Sequence, residues 1–397
     1  MATEDSSRAA VEGTRIDLSI DASPLRKLGL PSSDEIEITV LGINENAGES
    51  IVIHIGNQDW IVIDSCRTQD GIVLPLFYLR SIGVDLNKVK RVACTHLHND
   101  HLNGLSNVLS ECKQAQFAYP LIGDENTLRY VVAQYRREQN IPERGTFGEF
   151  MNCIKLARKE KRGEVLLNLD TPLYADANRY VMGVSPSRLM NELYQWRLLR
   201  YNLGDPIPTK MLKTNFCSVA TILRVGSVNA ILGADLEVNR DSKDDIHSCI
   251  QKCKRRSKRG WCDVFVGSQY FPCFKYDYIK IPHHSSKTGF CDKLWTEQMD
   301  SSVRIGTSTV FLDGDNALPS KQIIDEYSKV CSELYYTSES PVFKKDKKRG
   351  AKIDEKKGIA YDDVSVVPEQ VGVVTSRKLI NGGPWSTSIF YSAIRAK

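Results

Sequence analysis

No apolar run in the 397 residues approaches the length of a membrane-spanning helix, so a membrane partner is not expected. Net charge is also scarce. At +4 it does not by itself argue for a polyanionic ligand. The opening Met1-Ala2-Thr3-Glu4-Asp5-Ser6-Ser7-Arg8 lacks the apolar centre of a secretion signal, and with 11 cysteines the expectation is reduced, buried thiols in the cytoplasm. Cys249, Cys253, Cys262 and Cys273 lack a paired Cys-x-x-Cys spacing, which speaks against a zinc cluster there. There is no internal repeat. A hydrophobic content of 41% with 26% charged residues is ordinary for a soluble globular chain of one large domain or two. Histidine is rare, with seven in the whole chain, and that scarcity makes its distribution informative.

Three of those seven fall in Thr95-His96-Leu97-His98-Asn99-Asp100-His101. The stretch follows Val89-Lys90-Arg91-Val92-Ala93-Cys94, which reads as a buried strand ending at the motif. His96 and His98 are two apart, so in extended chain both rings point the same way, while Asp100 and His101 continue into a loop. Mixed nitrogen and oxygen donors in this arrangement suit two adjacent divalent ions, zinc or manganese. Two later strand ends carry matching residue types: Asp235 after Asn229–Gly233, and His283-His284 after Tyr278–Ile281. A carboxylate between two cations can bridge them, the natural post for Asp235. A second metal would then take Asp100, His101 and one of the paired histidines, leaving the other to face substrate.

Around these ends the pattern is mixed α/β. Residues 1–30 read as a loose lead-in to a domain spanning 31–397. Strands are expected at 35–41, 51–55 and 59–64, the last two joined by Gly56-Asn57-Gln58, and a helix at 73–84. Helical segments at 124–138, 147–161 and 187–201 suggest an inserted cap over about 124–202. Strands resume at 217–225, 229–233, 263–266 and 278–281. Segments 372–377 and 386–391, around Asn381-Gly382-Gly383-Pro384, form a hairpin in a strand-rich C-terminal extension, about 365–397. His54 alternates with core-facing residues and reads as structural, and His247 lies too far past a strand end to be a ligand. Basic runs at 252–259 and 344–357 read first as solvated loops, with phosphate attraction as the alternative.

The His96-x-His98-x-Asp100-His101 motif, with the blocks at 36–64, 89–106, 215–237 and 278–290, resembles the metallo-β-lactamase superfold, an αββα sandwich of binuclear metal hydrolases. Gly48-Glu49-Ser50, Ile63-Asp64, Asn215-Phe216-Cys217-Ser218, Gly233-Ala234-Asp235 and Lys280-Ile281-Pro282-His283-His284-Ser285-Ser286 look like the branch of the competence DNA-uptake hydrolase domain and the phosphorylcholine esterases. That resemblance implies metal ligands His96, His98, Asp100, His101, Asp235 and His283. It also implies Asp64 holding the ligand loop, Asp100 and His284 in the catalytic group, and Ser285 and Ser286 closing the turn. Two departures stand out. No histidine lies between His101 and Asp235, and Asn316-Ala317-Leu318-Pro319 replaces a later His-Pro step.

The expected activity is metal-dependent hydrolysis by activated hydroxide, first of phosphodiesters and so as a phosphodiesterase or nuclease. Ester, lactone or amide hydrolysis by the same site is the alternative, and a partner-binding protein with a vestigial metal site is a third reading. A protein partner or oligomer is compatible with all three.

Overall fold

The computed structural model describes residues 20–43, 48–120, 146–187, 190, 214–238, 246–247, 259–298, 304–313, 316–339 and 371–397. Two eight-stranded sheets lie face to face, and β13 (Phe311–Asp313) pairs with β14 (Asn316–Leu318) in a separate two-stranded ribbon. The first runs β17-β16-β1-β2-β3-β4-β5-β6: Ser386–Tyr391, Val371–Leu379, Glu35–Ile43, Gly48–His54, Trp60–Ile63, Val89–Ala93, Gln116–Pro120 and Glu164–Leu167. The second runs β18-β15-β12-β11-β10-β9-β8-β7: Ile394–Arg395, Glu333–Tyr336, Ile305–Ser308, Tyr278–Lys280, Val228–Leu232, Thr221–Val225, Arg179–Gly183 and Thr171–Ala175.

Period-two patterning sorts side chains between layers. In β3, Ile61 and Ile63 enter the core between the sheets, whereas Trp60 and Val62 join the core on the first sheet's outer face. That outer core is closed by helices α1 (Ser23–Leu28), α2 (Leu74–Ile82), α4 (Leu105–Glu111) and α5 (Thr146–Lys159), with α3 (Asn99–Leu102) at its edge. Helices α6 (Trp261–Gly267) and α7 (Lys321–Val330) cover the second sheet through Trp261, Val264, Ile323 and Tyr327. Helices outside two stacked sheets make the expected αββα sandwich.

Several expected elements take other forms. Residues 263–266 lie in helix α6, not a strand. A four-residue apolar run does not distinguish the two, and packing of Trp261 and Val264 one turn apart settles it. The lead-in is anchored from Ile20 onward, with Ile20, Ala22 and Leu25 buried against the first sheet's outer core. The described part of the expected cap belongs to the sandwich. Thr146–Lys159 is helical but packs Phe150, Ile154 and Ala157 into that same core, and β6, β7 and β8 extend both sheets. Helical segments 124–138 and 187–201 lie outside the described residues, apart from Ser187, which is not helical, and Met190, as do both basic runs except Arg259. The C-terminal segment is integral to the sandwich, since β16 pairs with β1 along its whole length, Glu35 against Leu379 to Ile43 against Val371.

The topology gathers strand ends. β3, β4 and β5 are mutually parallel, and so are β10, β11 and β12. The segments leaving β3, β4, β10, β11 and β12 carry Asp64, His96–His101, Asp235, His283–His284 and Thr309. Crevices outside the carboxyl ends of parallel strands are where such sheets form sites.

Candidate metal centre

From the first sheet, Asp64 organises the ligand loop. This buried residue adopts φ 59° just after β3 and accepts Thr95 N at 2.7 Å, Thr95 Oγ1 at 2.6 Å and His101 Nδ1 at 2.8 Å. Thr95 Oγ1 also lies 3.0 Å from His96 Nδ1. His98 stays extended (φ −135°) as the cap of α3, so Asp100 and His101 sit in that helix's first turn and face back toward His96. The rings of His96 and His101 approach to 4.5 Å between centroids.

From the second sheet, Asp235 follows the turn Gly233-Ala234, where Ala234 takes φ 42°, and its backbone N–H donates to Ser218 Oγ at 3.0 Å. His283, His284 and Ser285 form a left-handed run with φ 49°, 48° and 57°. L-residues adopt this region at a cost of about 1 kcal/mol or more each, and such strain persists where surrounding contacts over-determine it. The two adjacent rings stand with planes 61° from each other, and both bring Nε2 near Asp235 Oδ2, His283 at 3.9 Å and His284 at 3.8 Å.

Two donor groups result. Asp100, His101, Asp235 and His284 each place one donor atom within 4.8 Å of the others, and His96, His98 and Asp235 do the same. Asp235 belongs to both: its Oδ1 is 3.3 Å from His101 Nε2, while its Oδ2 is 3.9 Å from His96 Nε2 and 3.8 Å from His284 Nε2. His96 Nε2, His101 Nε2 and Asp235 Oδ1 are buried and have no hydrogen-bond partner among the described residues. Buried polar atoms are rarely left so, and three of them aimed at one small space fit a cation of the zinc or manganese type.

Charges in the cluster are interlocked. Burial pushes the Asp235 carboxyl up, but His101, His284 and His283 outweigh it and hold it well below the ordinary range. Asp100 behaves alike, as burial is overcome by His101 and by the close approach of His284 and His98. Burial, then His101, drives His96 well below its ordinary value, so its ring is neutral. Burial lowers the His101 value, but Asp235, Asp100 and Asp64 outweigh it and raise it well above the ordinary one, so a cation entering beside these carboxylates would displace a proton from this ring.

The paired histidines occupy places opposite to those expected. His284, not His283, joins the four-donor group, with Nε2 3.1 Å from Asp100 Oδ2. His283 sits 19% exposed at the rim, its Nδ1 3.1 Å from Glu237 Oε1 and its Nε2 3.1 Å from Asn215 Nδ2. His54 is buried in β2 and accepts Gln58 N–H at 3.0 Å, a hairpin contact away from the centre. His247 pairs with Asp292 at 2.9 Å. Glu49, Lys280 and Thr309 support the centre without having been picked out as site residues. The signal for two of them was a charge set in an apolar strand, Glu49 before Ser50-Ile51-Val52-Ile53 and Lys280 within Tyr278-Ile279-Lys280-Ile281.

Residues 44–176, about a third of the chain, match the family model described as the Metallo-beta-lactamase superfamily. Among similar solved structures is the metallo-beta-lactamase fold protein YhfI from Bacillus subtilis, 12% identical, with 76% of this chain and 95% of that chain covered and a TM-score of 0.38. Another is MEM-A1, a subclass B3 metallo-beta-lactamase from a soil metagenome library, at 12% identity, 68% and 88% coverage and a TM-score of 0.34. AidC, a dizinc quorum-quenching lactonase, gives 12% identity, 47% and 56% coverage and a TM-score of 0.28. At such scores the likeness says nothing of substrate. No curated protein is significantly similar to the chain. Among the described residues no helix is long and apolar enough to cross a membrane.

Proposed function

We propose that the protein is a metal-dependent hydrolase of phosphodiesters, with nucleic acid a candidate substrate. The observation that carries the metal dependence is the convergence of orphaned His96 Nε2, His101 Nε2 and Asp235 Oδ1 on one buried space. Asp100, His101, Asp235 and His284 would hold one cation, and His96, His98 and Asp235 a second, with Asp235 common to both groups. Divalent ions held there supply Lewis acidity toward substrate oxygens and make water a stronger nucleophile at neutral pH.

The chain's own groups do the rest. Asp235 keeps the two donor sets in register, and Asp64 fixes the loop that carries four of the ligands. The second donor set has three residues, and His283 stands beside it at the rim, with Nε2 3.9 Å from Asp235 Oδ2. Burial lowers the pKa of His283, but Asp235 and Glu237 outweigh it and raise the value, so the ring is suited to hand a proton or hydrogen bond to a substrate oxygen. The phosphodiester class is supported by the motif likeness of Gly48-Glu49-Ser50 and Lys280–Ser286 to the DNA-uptake and phosphorylcholine esterase branch.

The test begins with metal content of the purified protein, followed by turnover of bis(p-nitrophenyl) phosphate, single- and double-stranded oligonucleotides, a lactone and an amide. Asp235→Asn should remain folded while losing most activity and part of its metal. Oligonucleotide binding should weaken steeply with salt if nucleic acid is the substrate. Cleavage of the small diester without oligonucleotide binding would restrict the reading to small phosphodiesters. Brisk lactone or amide hydrolysis with inert diesters would overturn the phosphodiester class.

A further inference from the structure

Besides Asp64, a second carboxylate of the first sheet supports the centre. Glu49 lies at the start of β2 in the first sheet, only 1% exposed, and forms an ion pair with the fully buried ammonium of Lys280 in β11 of the second sheet. Lys280 Nζ also donates to the Ala234 carbonyl at 3.5 Å, in the turn that presents Asp235. The other Glu49 oxygen, Oε2, accepts Thr309 Oγ1–H at 2.6 Å, and Thr309 Oγ1 lies 2.7 Å from His284 Nδ1. The chain Lys280–Glu49–Thr309–His284 thus joins both sheets and ends on a ring of the donor group.

Counting protons gives this chain a direction. The carboxylate paired with Lys280 accepts and does not donate, and a threonine hydroxyl has one proton to give. That proton goes to Glu49, so Thr309 Oγ1 meets His284 as an acceptor. Nδ1–H satisfies it at 2.7 Å, a closer contact than the 3.1 Å between Nε2 and the competing acceptor, Asp100 Oδ2. A neutral imidazole carries a single N–H, so Nε2 keeps its lone pair, and Nε2 is the atom facing Asp100 and Asp235. The same order recurs across the site, where Thr95 Oγ1 gives its proton to Asp64 Oδ2 at 2.6 Å and accepts from His96 Nδ1 at 3.0 Å.

We infer that Glu49, acting through Thr309, is a positioning residue that sets the tautomer of His284 and aims its Nε2 lone pair into the centre. Carboxylates that reach a ligating histidine through its other nitrogen set ring orientation and basicity, and their loss typically costs about 10- to 100-fold in metal affinity. The consequence for metal rests on the reading of the centre given above. The tautomer does not.

Thr309→Val is the main test, because it keeps the β-branched shape and leaves the Glu49–Lys280 pair intact. Without the hydroxyl, the acceptor remaining at hydrogen-bond distance is Asp100 Oδ2, 3.1 Å from Nε2, so the neutral ring should move its proton to Nε2. Long-range proton–nitrogen correlation spectra of the metal-free protein at alkaline pH read this directly, with His284→Ala assigning the signal. Wild type should show Nδ1–H. Thr309→Val and Glu49→Gln should show Nε2–H, and Thr309→Ser should restore Nδ1–H. In parallel, zinc competition against a chromophoric chelator should weaken about 10- to 100-fold in the first two variants and recover in the serine variant. An Nε2–H ring in wild type, or an unchanged tautomer in both Thr309→Val and Glu49→Gln, overturns the inference whatever the metal does. A tautomer that switches as stated while zinc affinity stays constant upholds the relay and overturns the metal centre instead.

Discussion

Replacing Asp64 by asparagine changes one atom and disturbs three contacts. Oδ1 takes the Thr95 N–H, while Oδ2 takes both the Thr95 hydroxyl and His101 Nδ1–H. An asparagine that keeps its carbonyl oxygen on Thr95 N must put its NH2 where Oδ2 stood, donor against two donors. The flipped rotamer sets NH2 against the backbone N–H and is no better. The least costly adjustment moves the His101 proton to Nε2 and turns the Thr95 hydroxyl toward His96 Nδ1, which pushes that ring's proton to Nε2 as well. Two lone pairs are then withdrawn from the centre by one isosteric change. Hydrogen bonds to a charged group contribute about 1.5–3 kcal/mol each, so the metal-free variant should be destabilised by about that much. The loss is moderated because burial raises the Asp64 pKa against the opposing pull of His101, and the neutral amide escapes that burial cost. Urea unfolding of the metal-free proteins measures this loss. Metal affinity should fall at least about 10- to 100-fold, read by zinc competition. A variant that binds zinc within a factor of two or three of wild type would refute the hydrogen-bond reasoning.

The paired histidines separate in the same assay: His284→Ala should lose metal, while His283→Ala should retain it and lose turnover, since only His284 belongs to the four-donor group. Equal metal loss in both would show that the rim position of His283 is misread. His54 makes a prediction about acid stability. Burial draws its pKa from 6.5 to about 4. Its neutral ring accepts the Gln58 N–H at 3.0 Å. With the folded value depressed, the unfolded chain binds the proton first, so the stability contribution is complete above pH 6.5 and is lost as the pH falls toward 4. The ceiling for that loss is about 3 kcal/mol, since each tenfold difference in proton affinity between the folded and unfolded chain is worth about 1.4 kcal/mol. His54→Gln, which keeps an acceptor and cannot titrate, should flatten the stability profile across that window, and parallel profiles for the two proteins would count against it.

Where one face of a strand was buried or a turn residue was obligatory, the fold was legible from sequence. The alternation in Glu35–Leu41, the Gly56-Asn57-Gln58 hairpin and the Pro75–Leu79 helix all appear within a few residues of their expected bounds. The misread stretches lack that one-sided signal. Glu164–Leu167 and Thr171–Ala175 are edge strands, half-exposed and short, so they carry little periodicity although they complete the two sheets. Asp263–Val266 was ambiguous by length alone. Val371–Leu379 gave a correct strand, but its role as an inner partner of β1 depends on a pairing more than 300 residues away, for which local patterning carries no signal.

The site shows the same division more sharply. Residue types at strand ends located the centre, because histidines and carboxylates in such places have few other uses in a buried setting. Which of two neighbouring rings points inward is decided by backbone torsion, not residue type. His283 and His284 share nearly equal left-handed φ values, and successive residues in that conformation send their side chains to different sides. The choice between them then depends on partners remote in sequence. His284 is drawn inward by Thr309, itself tied to Glu49 260 residues earlier. His283 is held at the rim by Glu237 and Asn215, with its Nε2 still 3.9 Å from Asp235 Oδ2. A motif read one residue at a time specifies the chemistry available at this turn, while the polar contacts made across both sheets assign each ring its task.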